Sequence, residues 1–178
     1  MRNRKALALW IVLAVGLAGM AEAQEGAAGA AQREQVKKLD FLMGDWKGEG
    51  WSQMGPGSQR ETFQAKETVQ PKLDGMILVF DGLGKDSSGK VGHQAYAVLS
   101  WDQAAQRYRF LAFRADGIVV DTAPVMGDKT MQWGFEIPQG KLRFTLDFTK
   151  PGEWFETGEW SRDGQQWVKF MEMKLKRV

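Results

Sequence analysis

Apolar and polar residues alternate with a period of two along most of the chain after Gly44, which predicts half-buried β-strands. Short clusters of Gly, Pro, Asp and Ser separate these runs and predict tight turns. The predicted strands are Asp45–Gln53, Arg60–Gln70, Met76–Leu83, Gln94–Trp101, Arg107–Arg114, Ile118–Val125, Met131–Pro138, Lys141–Thr149, Glu153–Trp160 and Gln165–Lys176. About ten strands with short links predict an all-β fold, a single antiparallel up-and-down barrel, because a sandwich needs longer crossovers.

The segment before the first strand has a helical period. Val36, Leu39 and Leu42 recur at helical spacing, which predicts one short helix over Arg33–Met43. We expect this helix to close one end of the barrel. A barrel of about ten strands is wide enough to enclose a cavity.

The last four predicted strands share one apolar face if three turns set a common register. These turns are Gln139-Gly140, Lys150-Pro151-Gly152 and Ser161-Arg162-Asp163-Gly164. Cross-strand pairs then follow from the turn lengths. The predicted partners are Ile137 with Leu142, Phe135 with Phe144, Trp133 with Leu146, Phe148 with Trp154, Trp154 with Met171, and Gly158 with Trp167.

The same register places Glu156 opposite Lys169 inside the apolar face. An unpaired charge in such surroundings has a large desolvation cost. We therefore expect the two residues to face a wet lumen, where Lys169 receives a ligand carboxylate and Glu156 holds the lysine. The alternative is that the Trp-rich face lies on the outside. The predicted ligand-binding residues are Glu156, Lys169, Trp154, Trp160, Trp167, Phe144, Met171, Tyr96 and Trp133.

The N-terminal residues have the pattern of an export signal. Basic residues precede an apolar run, and Ala21-Glu22-Ala23 has the small-x-small form of a cleavage site. We predict a signal peptide over residues 1–23, a flexible leader over 24–32 and a barrel domain over 33–178. The protein is then exported to the periplasm or secreted, without integral membrane association, because the apolar run is short for a bilayer span.

Charge and composition exclude several function classes. Residues 24–178 hold equal numbers of basic and acidic side chains, which argues against nucleic acid as a partner. The chain has no cysteine and one histidine, so we predict no metal site and no catalytic constellation. The histidine, His93, begins a predicted strand and is expected at the barrel rim.

The start of the first strand resembles the calycin superfamily, which includes lipocalins, fatty-acid-binding proteins and nitrobindins. The residues that carry this resemblance are Gly44, Trp46 and Gly48, directly after the predicted helix. The resemblance implies that Trp46 plugs one end of the barrel beneath Lys176 or Arg177 of the last strand. Two further segments, Trp101–Tyr108 and Arg114–Gly117, are similar to a bacterial family of exported or cytosolic barrels of unknown function.

Nitrobindins bind haem through a histidine on the last strand, and this chain has Phe170 at that position. We therefore predict no cofactor, with Met171 or Met173 as the alternative, softer haem ligands. The predicted function is non-enzymatic binding of a small apolar or amphipathic molecule inside the barrel. Two alternatives stay open: a haem-binding barrel with a non-histidine ligand, and a small enzyme or sugar-binding module that uses Glu156 and the Trp cluster.

Overall fold

The computed structural model describes Gly26, residues 29–55 and residues 57–178. The predicted signal peptide, residues 1–23, lies outside the described residues. Residues 29–37 are helical and a 3-10 turn follows at Asp40–Leu42, so the helix begins earlier than the predicted Arg33. No helix in the described part of the chain is long and apolar enough to cross a membrane.

Eleven β-strands form one antiparallel sheet. Their bounds are β1 Gly44–Ser52, β2 Glu61–Lys72, β3 Ile77–Asp86, β4 Val91–Asp102, β5 Arg107–Arg114, β6 Val119–Thr122, β7 Val125–Gly127, β8 Thr130–Ile137, β9 Gly140–Asp147, β10 Glu153–Ser161 and β11 Val168–Arg177. Each strand pairs with its sequence neighbours, and β1 also pairs with β11, but β6 and β7 do not pair. The all-β, up-and-down architecture is therefore confirmed.

The prediction of a closed barrel of about ten strands is wrong, because the sheet is an open half-barrel whose two edges are β6 and β7. The predicted strand Ile118–Val125 is divided at Ala123 and Pro124. Proline has no N–H to donate to a strand ladder, so pairing stops there. The division makes one predicted strand into the two edges of the sheet.

Period-two alternation sets which side chains lie on the concave side of the sheet, called here the inner face. Trp46 and the other apolar inner residues of the first and last strands are buried, while the intervening residues are exposed or half-buried. On β8, β9 and β10 the outward residues include Glu136, Arg143 and Glu159, which form ion pairs on the outer surface. The predicted assignment of faces is therefore confirmed for these strands.

Of the three predicted registers, one is confirmed. Phe155 pairs with Asp147, which is the register required by the predicted contact of Phe148 with Trp154. The Phe148 and Trp154 ring centroids lie 5.1 Å apart. The β8–β9 prediction is wrong by two residues, since Phe135 pairs with Leu142. The β10–β11 prediction is wrong by four, because the final loop is longer than the predicted turn and a bulge lies at Gly158/Glu159.

One end of the half-barrel, the closed end, is filled by the helix and by Trp46, which is 1% exposed. The indole N–H donates to the Leu42 carbonyl oxygen at 3.1 Å, and the Arg177 guanidinium lies over the ring at 4.3 Å. Arg177 also donates to the Met43 carbonyl oxygen at 2.5 Å. The predicted plug and its cation–π contact are both confirmed.

A side chain is disfavoured at Gly44 and at Gly48 of the closed end, for a different structural reason at each position. Gly44 has φ of 137°, and a Cβ there would lie 2.7 Å from the Arg177 guanidinium. A Cβ at Gly48 would clash with the backbone oxygen of Lys174 on β11. Both glycines therefore permit the close approach of β1 to the last strand.

Candidate functional site

Glu156 lies on the inner face of β10 and is 8% exposed. Its strand neighbours are apolar, with Leu146 on β9 and Met173 on β11. The Trp154 indole N–H donates to its Oε2 at 3.1 Å, while Oε1 has no hydrogen-bond partner among the described residues. A buried carboxyl with one free acceptor is available for a ligand.

Glu67 lies on the inner face of β2, between the inward residues Ala65 and Val69. Its strand neighbours are Trp46 and Gly82. A Cβ at Gly82 would lie 2.6 Å from Glu67 Oε2, so the glycine provides the space that this carboxyl occupies. No described residue donates a hydrogen bond or forms an ion pair with Glu67.

Glu67 and Glu156 are together called the acid pair, and the charge of Glu156 acts on Glu67. Burial, together with the negative charges of Glu156 and Asp81, raises the pKa of Glu67 to about 8. Burial also raises the pKa of Glu156 to about 8, against the opposing effect of the Trp154 N–H. No basic side chain among the described residues lowers either pKa, so both carboxyls hold a proton at neutral pH.

Three rings on the inner face of β8 and β9 lie nearly parallel. Trp133 and Phe144 have centroids 4.5 Å apart with an interplanar angle of 17°, and Phe135 is parallel to both within 15°. All three, called the aromatic stack, are only half-buried. Phe144 pairs with Gly158, two residues along β10 from Glu156. The aromatic stack therefore lies next to Glu156 on the inner face of the sheet.

The aromatic stack lies next to the open edge of the sheet, where part of β8 is unpaired. The short β7 pairs with β8 only as far as Gln132, so the described structure offers no strand partner to residues 133–137 on that side. A pocket of about 300 Å³ lies at this edge, which is the lower end of the range for ligand pockets. Its lining combines the inward-facing Trp133, Phe135 and Leu142 with outward-facing residues, so the pocket opens onto the outer surface at this edge; the outward-facing residues include Gln132, Glu136, Lys141, Arg143 and Trp167.

A second polar site lies at the rim away from the helix. His93 and Arg114 are on the inner side of β4 and β5 and line a small pocket of about 90 Å³ with Asp116. Arg114 donates to Asp116 Oδ2 at 2.6 Å, but its buried Nε has no partner among the described residues. Desolvation at the rim and the Arg114 charge lower the pKa of His93. The predicted rim position of His93 is confirmed.

Three predicted site residues lie outside the inner face: Lys169, Tyr96 and Trp167. Lys169 pairs with Glu159 rather than Glu156, its side chain is 43% exposed, and its ammonium binds Glu172 at 2.8 Å. The predicted Glu156–Lys169 pair is therefore wrong, because the register of β11 differs by four residues and a bulge. Tyr96 is 48% exposed on the outer face of β4, since its neighbours on the strand face inward.

The three tryptophans predicted to cluster lie apart. Trp154 is buried at the closed end, edge-on to Trp46 at 6.0 Å. Trp167 lies on the outer side, where the Arg143 guanidinium stacks 4.0 Å from its ring. Trp160 is half-buried near the rim, opposite Leu142. Trp167 nevertheless lines the open-edge pocket, so its predicted role as a pocket residue stays a prediction.

Met171 and Phe144, two of the predicted ligand-binding residues, contact a common position on β10. Both lie around Gly158, where a Cβ would be 3.1 Å from Met171 Cβ and 3.2 Å from the Phe144 ring. Phe170 also contacts this position and lies edge-on to Phe144 at 5.8 Å. Because Gly158 has no side chain, the side chains of Met171, Phe144 and Phe170 can all pack against this position.

The described residues do not fit the haem site that the nitrobindin resemblance implies. Phe170 has no donor atom for iron, and the one histidine of the chain, His93, lies across the sheet on β4 beside Arg114. Met173 faces the same side as Glu156 but is buried between strands. The inner face of the last strand therefore lacks the histidine ligand that a nitrobindin-type haem site uses.

Sequence reasoning missed Glu67, although a signal for it was present. In the predicted strand Arg60–Gln70, alternation puts Glu67 on the same face as Phe63, Ala65 and Val69. A charged residue in an apolar register was therefore visible at this position, as it was for Glu156 on the later strand. No pairing rule connects β2 with β10, so nothing in the sequence predicts that the two carboxyls lie close together.

Two solved structures similar to this chain have the same fold. The crystal structure of Rv2717c from M. tuberculosis matches 80% of this chain and 96% of its own, with a TM-score of 0.60 and 14% identity. The S-type phycobiliprotein lyase CPES from Guillardia theta matches over 86% and 97%, with a TM-score of 0.56 and 12% identity. The fold is thus lipocalin- or calycin-like. No protein-family model and no curated protein matches the sequence, and the resemblance to a bacterial exported family stays a prediction.

Proposed function

We propose that this protein binds a small molecule with a flat apolar or aromatic body on the inner face of the half-barrel, against the aromatic stack. The observation that carries the proposal is the set of three parallel, half-buried rings on the inner face of β8 and β9. Parallel rings offer their faces to a further ring. Because they are half-buried, a ligand on them removes apolar surface from water.

The open edge supports the same proposal. A sheet edge with unpaired backbone groups is a liability that proteins cover or keep short. Here the divided strand at Pro124 leaves this edge next to the aromatic stack. Although β6 lies beside β8, the two strands are not hydrogen-bonded, and a ligand entering between them would have a lateral route to the inner face that a closed barrel lacks.

We further propose that the protein acts after export, in the periplasm or outside the cell. Support comes from the basic, apolar and small-x-small segments of residues 1–23. The mass of the protein isolated from a bacterial periplasmic fraction tests this step. Cleavage after Ala23 is the expected result, and an intact N-terminus in the cytoplasmic fraction would contradict export.

Ligand binding is tested with residues 24–178 and the neutral dye N-phenyl-1-naphthylamine. We expect saturable binding with increased dye fluorescence, and native mass spectrometry should show a one-to-one complex. Phe144→Leu removes a ring of the aromatic stack and should weaken dye binding about fivefold, since one aromatic contact contributes about 0.5–1.5 kcal/mol. The matched control is Phe113→Leu, a phenylalanine 45% exposed on β5.

The two variants separate specific binding from adsorption. If Phe113→Leu weakens the dye as much as Phe144→Leu, the dye binds the outer surface and the proposal fails. Absence of saturation in the wild-type protein would also contradict it. Haemin is included in the same titration, and a Soret band that depends on Met171 would instead favour the haem alternative.

A further inference from the structure

We propose that the acid pair, Glu67 and Glu156, binds the protonated nitrogen of an organic cation whose apolar body lies on the aromatic stack. This inference rests on the proposed ligand-binding function and adds the chemical class of the ligand. It depends first on geometry. Glu156 lies on β10 and Glu67 on β2, both on the inner face. Glu67 pairs with Trp46, whose ring lies 6.0 Å from that of Trp154, and the Trp154 N–H donates to Glu156.

The neighbours of the acid pair leave both carboxyls without a basic partner. The residues facing Glu156 from the paired strands are Leu146 and Met173, and those facing Glu67 are Trp46 and Gly82. Asp81, the further charged group that acts on Glu67, is also acidic. Every titratable group near the pair therefore favours a positive ligand and disfavours an anion.

The hydrogen-bonding capacity of the pair fits an ammonium group. One of the four carboxyl oxygens, Glu156 Oε2, accepts the Trp154 N–H. The remaining three oxygens have no donor among the described residues. An alkylammonium has three N–H donors, so it can satisfy them together.

Two competing classes fit the site less well. A metal ion is disfavoured because the described residues hold no group of three or more His, Cys, Asp or Glu that could ligate it. A neutral ligand could accept hydrogen bonds from the protonated acids, but it would leave the cost of burying two acids uncompensated. A cation offsets that cost and also interacts favourably with the faces of nearby rings.

Cation binding has a proton signature. The pKa of each carboxyl is about 8 in the protein without ligand, and a nearby positive charge lowers it. Binding at pH 7 should therefore release protons, at most one per carboxyl. A neutral ligand that accepts hydrogen bonds from the acids would release none, and its affinity would fall above pH 8.

The test uses three probes with the same ring: 1-naphthylmethylamine, 1-naphthalenemethanol and 1-naphthylacetic acid. Isothermal titration calorimetry at pH 7, in two buffers with different ionisation enthalpies, gives both affinity and proton release. We expect the amine to bind at least about tenfold more tightly than the alcohol, equivalent to about 1.4 kcal/mol, and the acid to bind most weakly. Proton release should accompany the amine alone.

Charge-neutral variants locate the effect. Glu67→Gln and Glu156→Gln keep the side-chain shape, and each should reduce amine affinity about tenfold while leaving alcohol affinity within about twofold. Glu49→Gln is the matched control, because this glutamate is exposed on the outer face of β1 and does not line the open-edge pocket. The control should retain the full preference for the amine.

The outcomes distinguish this inference from the proposed function. If the alcohol binds as tightly as the amine, or both Gln variants retain the amine preference, the cation assignment is overturned while ligand binding stands. If none of the three probes binds, the proposed function fails and the cation assignment fails with it. Amine binding without proton release also contradicts a role for the acid pair.

Discussion

The closed end and the open edge of this half-barrel satisfy their polar groups very differently. At the closed end, Trp46 donates to the Leu42 carbonyl oxygen, and Arg177 donates to that of Met43. At the open edge, part of β8 lacks a strand partner in the described structure, and the aromatic stack is half-buried. Between these regions, the acid pair has one hydrogen bond.

The difference separates stability from binding within one fold. Completed hydrogen bonds and edge-to-face rings around Trp46 stabilise the closed end. Unsatisfied carboxyls and exposed ring faces cost free energy in the protein alone, and such costs concentrate where a ligand compensates for them. We therefore expect substitutions at the closed end to change stability and those near the acid pair to change pH dependence and ligand preference.

The largest expected effect is at the plug of the closed end. Trp46→Ala removes a buried indole that contacts Phe148 and Trp154, and it should lower the free energy of unfolding by about 3–5 kcal/mol. The control is Trp51→Ala on the outer face of the same strand, where Arg60 stacks at 3.7 Å, with an expected loss of about 1 kcal/mol. Urea unfolding followed by circular dichroism measures both, and equal losses would remove the distinction between the two faces.

The next effect tests the close approach of β1 and β11. Gly48→Ala places a Cβ against the Lys174 backbone oxygen, which cannot move without separating the strands, so we expect a loss of about 2–3 kcal/mol in the same unfolding measurement. Gly92→Ala is the control, because a Cβ there meets no atom within 4 Å. A Gly48→Ala protein as stable as the control would show that the strands separate at little cost.

A smaller effect is expected from the acid pair, and it depends on pH. The pKa of Glu156 is raised to about 8 from 4.5, so between these pH values the unfolded protein loses a proton that the folded protein keeps. The free energy of unfolding should therefore fall as pH rises through this window and level off above pH 8. Glu156→Gln removes the Glu156 part of this decline and leaves that of Glu67, so the variant should exceed wild type by about 1–3 kcal/mol at pH 8, with little difference at pH 4.

The measurement is urea unfolding at intervals from pH 4 to 9, with Glu136→Gln as the control that should follow wild type. The amide oxygen introduced by Glu156→Gln can still accept the Trp154 N–H, so the variant keeps the hydrogen bond of the folded protein. A wild-type curve that rises between pH 5 and 8 would contradict the raised pKa.

Gly82→Ala is expected to have the smallest effect on stability. Its specific effect is on the position of the Glu67 carboxyl and hence on ligand preference. The added Cβ would lie 2.6 Å from Glu67 Oε2, and the flexible carboxyl can move away, so stability should change by less than about 1 kcal/mol. The displaced carboxyl should nevertheless reduce the preference for 1-naphthylmethylamine over 1-naphthalenemethanol in calorimetry. Unchanged preference would show that Glu67 does not contact the cation.

Much of the fold was predictable from local pattern. The alternation after Gly44 identified the strands, because it depends on residues close together in the chain, and the resemblance carried by Gly44, Trp46 and Gly48 implied the closed end. For the site, Glu156 was predicted to face inward and does so. Its predicted partner, Lys169, was wrong because the register between β10 and β11 depends on loop length and on a bulge that the sequence does not mark.

The sequence alone determined the faces of most strand residues, since side chains alternate along a strand and an even slip in register leaves them on the same face. That is why errors of two and four residues left Phe135, Phe144 and Glu156 correctly on the inner face. The bulge at Gly158/Glu159 is an odd shift, and it moved Lys169 to the outer face. The tertiary structure alone decided which inner residues meet. Glu67 and Glu156 come from strands distant in sequence, and curvature of the sheet rather than a turn connects them. The division at Pro124 likewise became an open edge only because the two halves of one predicted strand lie at opposite ends of the sheet.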